Sequence, residues 1–127
     1  MTDNFQDRLD AVFRSGGDQA LLDEVYDAWA RDYEKDIWAS GNPQKALITG
    51  FVERHVGRPD ARILDGGCGT GILTSILNTL GYRNIVGIDA SEGMLDVARA
   101  KGCFAELHKM LLAAHIDLPD GSFDAAI

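Results

Sequence analysis

Cysteine is nearly absent from this chain: Cys68 and Cys103 are the only two in 127 residues. Neither has a partner at zinc-ligand spacing, and two thiols make no disulfide framework. Long apolar runs are missing too. The longest spans residues 110–114, far short of the ~18 residues a membrane span needs. Positive charge is in deficit, with 12 Lys and Arg against 20 Asp and Glu, a net charge of −8. An acidic chain is repelled by nucleic-acid phosphates and anionic lipid unless it carries a local basic patch. The basic residues here are scattered, so no nucleic-acid or membrane partner is expected. The N-terminus, Met1-Thr2-Asp3-Asn4-Phe5-Gln6-Asp7, has neither the basic start nor the apolar stretch of a signal peptide. A soluble, reduced, cytoplasmic protein is the resulting expectation. What is present is an ordinary globular mix, 46% apolar and 25% charged, which allows one core and excludes disordered or collagen-like chains.

Two textures divide the chain. Leu22, Val25, Tyr26, Trp29, Tyr33 and Ile37 recur at three- and four-residue steps, which predicts an amphipathic helix from Asp18 to about Ala39. A weaker helical pattern through Phe5, Leu9, Val12 and Phe13 stops at Gly16-Gly17. A third helix is predicted through Ala46, Leu47, Phe51 and Val52, ending near Gly57 and Pro59. Beyond that point short apolar runs alternate with helices. Residues 62–65 read as a strand, 72–80 as a helix closed by Gly81, and 84–89 as a second strand. Ser91 caps a helix to about Lys101, residues 103–108 form a third strand, and residues 123–127 begin a fourth. Strand and helix alternating at this spacing predict βαβ units and a parallel sheet. The domain reading is a helical cap over residues 1–58 and an α/β unit over 59–127.

The most informative stretch is Gly67-Cys68-Gly69-Thr70-Gly71 between the first strand and its helix. Glycine permits a sharp turn and a close ligand approach, and the following helix offers free amides to an anionic group. Three glycines at alternate positions exceed what a turn alone requires. The dinucleotide fingerprint Gly-x-Gly-x-x-Gly would need its last glycine at position 72, which is Ile72, so that fingerprint fails. Asp65 stands two residues before the first glycine. It is a poor neighbour for a pyrophosphate and a good one for a ligand carrying an ammonium or sulfonium cation. S-adenosylmethionine carries both. Asp89 ends the second strand 18 residues after Gly71, beside the loop at the carboxyl edge of the sheet. There its oxygens can accept the two hydroxyls of a ribose; the competing role is a helix cap, for which Ser91 is better suited. His55, His108 and His115 have no partners at ligand spacing, so no metal site is expected.

These motifs resemble those of the class I S-adenosylmethionine-dependent methyltransferases. Residues 63–71, Ile-Leu-Asp-Gly-Gly-Cys-Gly-Thr-Gly, resemble the family's first motif. Val86-Gly87-Ile88-Asp89-Ala90-Ser91 with Met94, Leu95 and Ala98 resembles its second, and residues 118–125 resemble the segment leading into the fourth strand. They also resemble the branch typified by the methyltransferase-like protein of the Williams–Beuren chromosomal region. The resemblance implies a Rossmann-like α/β fold, S-adenosylmethionine as cofactor, and a small-molecule methyl acceptor. It implies that Gly67, Cys68, Gly69 and Gly71 form the cofactor loop, with Asp65 near the ammonium group and Asp89 on the ribose. Ala90, Met94 and Met110 would pack about the nucleoside. Tyr33 would close the site from the helical cap, against the alternative that it is core. The stretch Glu106-Leu107-His108-Lys109-Met110 departs from the family pattern, in which an Asp tends to take the adenine amino group.

The family fold has seven strands, and this chain is expected to hold the N-terminal half only, about four parallel strands. No catalytic residue is assigned. A truncated, inactive cofactor-binding or interaction fragment is the alternative reading. A nicotinamide oxidoreductase is a third, opposed by Ile72 and Asp65.

Overall fold

A computed structural model describes residues 4–127; the expectation resting on Met1, Thr2 and Asp3 lies outside the described residues. Three helices come first: α1 (Phe5–Arg14), α2 (Gln19–Ala39) and α3 (Gln44–His55). Each of the first two starts at a side-chain cap. Asn4 accepts from the Asp7 amide in a full capping box, and Asp18 accepts from the Leu21 amide. Such caps satisfy amides that have no partner within the helix, each worth about 1 kcal/mol.

The α/β part follows as β1 (Ile63–Gly66), α4 (Ile72–Thr79), β2 (Ile85–Asp89), α5 (Glu92–Lys101), β3 (Glu106–Lys109) and β4 (Ala125–Ala126). The four strands form one sheet in the order β3-β2-β1-β4, and every pairing is parallel. Ile63 stands beside Ile85 on one side and Ala125 on the other. This is the Rossmann-like arrangement expected of the sequence. β3 starts later than the apolar pattern suggests, because Cys103 and Phe104 turn in to pack behind the sheet and only Ala105 begins to bond, donating its amide to Ile85. Around β4, the amides of Asp124 and Ile127 donate to the carbonyls of Arg62 and Leu64, so pairing reaches beyond the two residues in strand conformation.

The core lies against β1 and β2. Ala61, Ile63, Leu73, Leu77, Tyr82 and Ile85 are buried together with Val52 of α3. Each fully buried Leu or Ile contributes about 1.5–3 kcal/mol. Consecutive right-handed crossovers stepping one way across a sheet put their helices on one face. α2 packs on α5 there, and α3 on α4. The chain steps from β1 to β2 and β3, then returns to the far side of β1 for β4. That reversal opens a crevice at the carboxyl ends of the strands, directly over the loop that follows β1.

Candidate functional site

The glycine loop is built from backbone bonds to β2. The amides of Gly67 and Cys68 both donate to the Ile88 carbonyl, at 2.8 and 3.0 Å. Gly69 and Gly71 have φ of +54° and +84°, conformations that cost other residues about 1–2 kcal/mol. Their surroundings differ. A Cβ on Gly69 would meet nothing within 4 Å, whereas one on Gly71 would lie 2.7 Å from the Phe104 ring. Gly69 thus opens toward the crevice, and Gly71 is filled from behind by an aromatic side chain. Phe104 also presses on Gly87 of β2, where a Cβ would sit 2.6 Å from the ring and 2.9 Å from Cys68 Sγ.

Asp89 ties the loop to α5. Its Oδ2 accepts from the Gly69 amide at 2.8 Å and its Oδ1 from the Ser91 amide at 2.9 Å. Ser91 is the helix cap, its Oγ accepting from the Met94 amide. A carboxylate has about four lone-pair sites, so two remain on Asp89 for a ligand. Asp65 is only 4% exposed and accepts from Thr74 Oγ1 at 2.9 Å. Burial pushes its carboxyl up to about 6, against the pull of Thr74 and Lys45. The Cys68 thiol is pushed up by burial and by the charges of Asp65 and Asp89, which makes it a packing group rather than a nucleophile.

A cleft with two lobes opens at this edge. One lobe, of about 310 Å³, is lined by Gln19, Leu22, Asp23, Tyr26, Gly67, Asp89, Ala90, Ser91 and residues 110–113. The other, of about 250 Å³, is lined by Tyr26, Tyr33, Gly67, Gly69, Asp89 and Met94. Tyr26, Gly67 and Asp89 belong to both and join them. Burial raises both tyrosine hydroxyls, with a further push from the Asp89 charge, so they stay protonated at neutral pH. A larger hollow of about 540 Å³ lies among Trp38, Ile76, Lys101 and Cys103. It touches neither Asp89 nor any residue of the glycine loop, and we assign the site to the cleft.

Of the residues singled out from sequence, Tyr33, Gly67, Gly69, Asp89, Ala90, Met94 and Met110 meet on the cleft wall. Asp65, Cys68 and Gly71 stand behind it. Tyr33 serves two surfaces, since its ring also packs edge-on against Trp29 at 4.9 Å. Gln19 and Leu112 are cleft residues that sequence reasoning passed over, and Asp23, which the helical periodicity puts on the solvent side of α2, lines the cleft instead. For Gln19 and Asp23 the signal was the spacing 19, 22, 23, 26, which runs along one face of α2 into the aromatic stripe.

The wall carries two carboxylates, Asp23 and Asp89, and no Lys or Arg, so it favours a cation over a pyrophosphate. Thr70 Oγ1, in the loop, is buried without a hydrogen-bond partner. Open space above Gly69, two free sites on Asp89 and negative charge without counter-ions fit a sulfonium nucleoside. Among the described residues, no group of His, Cys, Asp and Glu could hold a metal ion.

A family model described as a methyltransferase domain matches residues 64–127. Human methyltransferase-like protein 27 is 33% identical over 105 residues, covering 80% of this chain and 43% of the relative. Demethylmenaquinone methyltransferase of Symbiobacterium thermophilum is 33% identical over 110 residues, with the same two shares. The chain therefore spans less than half the length of these curated relatives. Among solved structures, magnesium protoporphyrin IX methyltransferase from Synechocystis with bound S-adenosylmethionine superposes with a TM-score of 0.66 at 22% identity, over 86% of this chain and 60% of that one. At that identity the match speaks for the fold, which is shared with a protein holding this cofactor. Motif, fold and relatives agree, and the chain belongs to the class I S-adenosylmethionine-dependent methyltransferase family.

Proposed function

We propose that this chain holds S-adenosylmethionine for methyl transfer to a small-molecule acceptor in the cytoplasm, with residues 1–58 covering the cofactor edge of residues 59–127. The observation that carries the reading is Asp89, bonded to the loop through the Gly69 amide and to α5 through the Ser91 amide, with two acceptor sites left over. In the roles proposed, those sites take the ribose hydroxyls. Gly67 and Gly69 admit the methionine portion, and Gly71 and Cys68 support the loop from behind. Asp65 adds negative charge beneath it. Ala90 and Met110 flank the base in the larger lobe, while Met94 and Tyr33 close the smaller one. A small-molecule acceptor is favoured by relatives named for such reactions, demethylmenaquinone methyltransferase and ubiquinone biosynthesis O-methyltransferase.

When bound, the cofactor supplies a methyl group on a sulfonium, and transfer returns the carbon–sulfur electron pair to sulfur as the acceptor's lone pair forms the new bond. The work left to the protein is placement and exclusion of water. Tyr26 and Tyr33 line the cleft as uncharged hydroxyls on apolar rings, which lets them cover a cation without competing for it.

Isothermal titration of the chain with S-adenosylmethionine, S-adenosylhomocysteine and NAD tests the reading. Binding of the first two and not of NAD is the expected outcome. Tighter binding of NAD would overturn it. Transfer of labelled methyl to a panel of quinols, phenols and amines then tests the acceptor class.

A further inference from the structure

The larger lobe is apolar on one wall and polar on the other. Leu111, Leu112 and Ala113 bring no side-chain hydrogen-bonding group to it. Its polar side chains on the sheet side have other roles: Asp89 holds two amides and keeps its remaining sites for the ribose in the reading above, and Ser91 is held by the Met94 amide and the Asp27 carboxylate. Opposite, on the first turns of α2, Gln19 Nε2 donates to Asp23 Oδ1 at 2.7 Å. That bond fixes the two side chains against each other and leaves the Asp23 Oδ2 and one Gln19 N–H without partners. An acceptor and a donor stand side by side in a lobe that Leu111, Leu112 and Ala113 also line.

Adenine presents the complementary edge, an amino group that donates beside a ring nitrogen that accepts. We infer that Gln19 and Asp23 of the helical cover read the adenine edge of the cofactor, so that the base is recognised from α2 rather than from the loop after β3. The inference rests on the cofactor reading above. It makes α2 a specificity element as well as a cover.

Titration of the full chain with S-adenosylhomocysteine and with S-inosylhomocysteine tests it. The second compound differs only in presenting a carbonyl and a ring N–H at the same edge. The wild-type chain is expected to prefer the adenine form by about 10-fold or more, the scale of one charge-assisted hydrogen bond. Asp23→Ala should shrink that ratio to about twofold. Asp23→Asn, whose amide can donate to a carbonyl, should swing it toward the inosine form, a reversal that a purely structural residue would not produce. Gln19→Ala, which leaves the carboxylate in place, should shrink the ratio part of the way. Thermal unfolding of each variant confirms that it is folded. An unchanged ratio in the Asp23 variants, or no wild-type preference, overturns the inference while the cofactor reading stands. Failure of the wild type to bind either compound overturns both.

Discussion

Asp89 and Asp65 are both strand-end carboxylates in the sequence, yet the fold gives them opposite surroundings. Asp89 is partly exposed and accepts from two backbone amides, whereas Asp65 is enclosed with one hydroxyl donor. Asp89→Ala loses the ribose acceptors and frees the Gly69 amide, so cofactor affinity should fall roughly 10- to 150-fold, the range for a charged hydrogen bond of about 1.5–3 kcal/mol. Calorimetry on a variant with a normal unfolding transition would measure it. For Asp65 the sign is set by a folded value near 6, above the ordinary 3.8. The folded chain keeps this proton where the unfolded chain has lost it. The group's stabilisation is therefore full below about pH 4 and disappears as the pH rises to 6. At pH 7 its ionised form costs the fold about 3 kcal/mol. Asp65→Asn should then raise apo stability at pH 7.5 and have little effect at pH 4, read from urea midpoints at the two pH values. A larger gain at pH 4 would contradict the burial argument.

At the scale of elements, the union of α2 with α5 decides whether the cleft has a roof. Asp27 Oδ1 accepts from the Gly93 amide at 2.8 Å and from Ser91 Oγ. The backbones approach so closely that a Cβ on Gly93 would lie 2.8 Å from the Asp27 Cα. Lys101 and Glu34 form an ion pair between the same two helices. An alanine inside a helix ordinarily gains about 1 kcal/mol over glycine. Here the clash with main chain outweighs that, at about 1–3 kcal/mol. Gly93→Ala should lower stability and raise hydrogen exchange throughout α2 while the β1 and β2 amides keep their protection. Uniform loss of protection would mean that the cover and the sheet open as one unit. α2 is further braced from behind: Trp29 donates its indole N–H to Asp36, which also takes Arg8 of α1 at 2.7 Å.

For the whole molecule, charge and exposed apolar surface oppose each other. The chain carries −8 at neutral pH and an isoelectric point near 4.6. Leu47 and Phe51 on α3 are each 59% exposed. β3 and β4 are the sheet's outer strands, and unpaired edges invite pairing between chains. Repulsion holds copies apart at pH 7.5 and vanishes near pH 4.6. Light scattering should therefore rise steeply as the pH falls toward 4.6, and Phe51→Lys should reduce it at every pH. Scattering that is flat across this range would remove the apolar faces as a cause.

The strand and helix alternation, the helix cap at Ser91, and the pairing of a glycine loop with Asp89 were all determined by the sequence alone. Each rests on a pattern within about twenty residues: apolar periodicity, a capping side chain, or the length of one βαβ unit. The family and its cofactor followed from those patterns. What only the tertiary structure decided is which of the marked residues face the cleft. Gly69 and Gly71 are alike in sequence, but a Phe104 ring from 33 residues further on fills the space at one and nothing fills it at the other. The roof of the cleft was also beyond local reading. Gln19 and Asp23 reach the cleft wall because Asp27 pins α2 to α5 across more than sixty positions. A contact at that separation depends on how two helices cross, which no stretch of sequence expresses by itself.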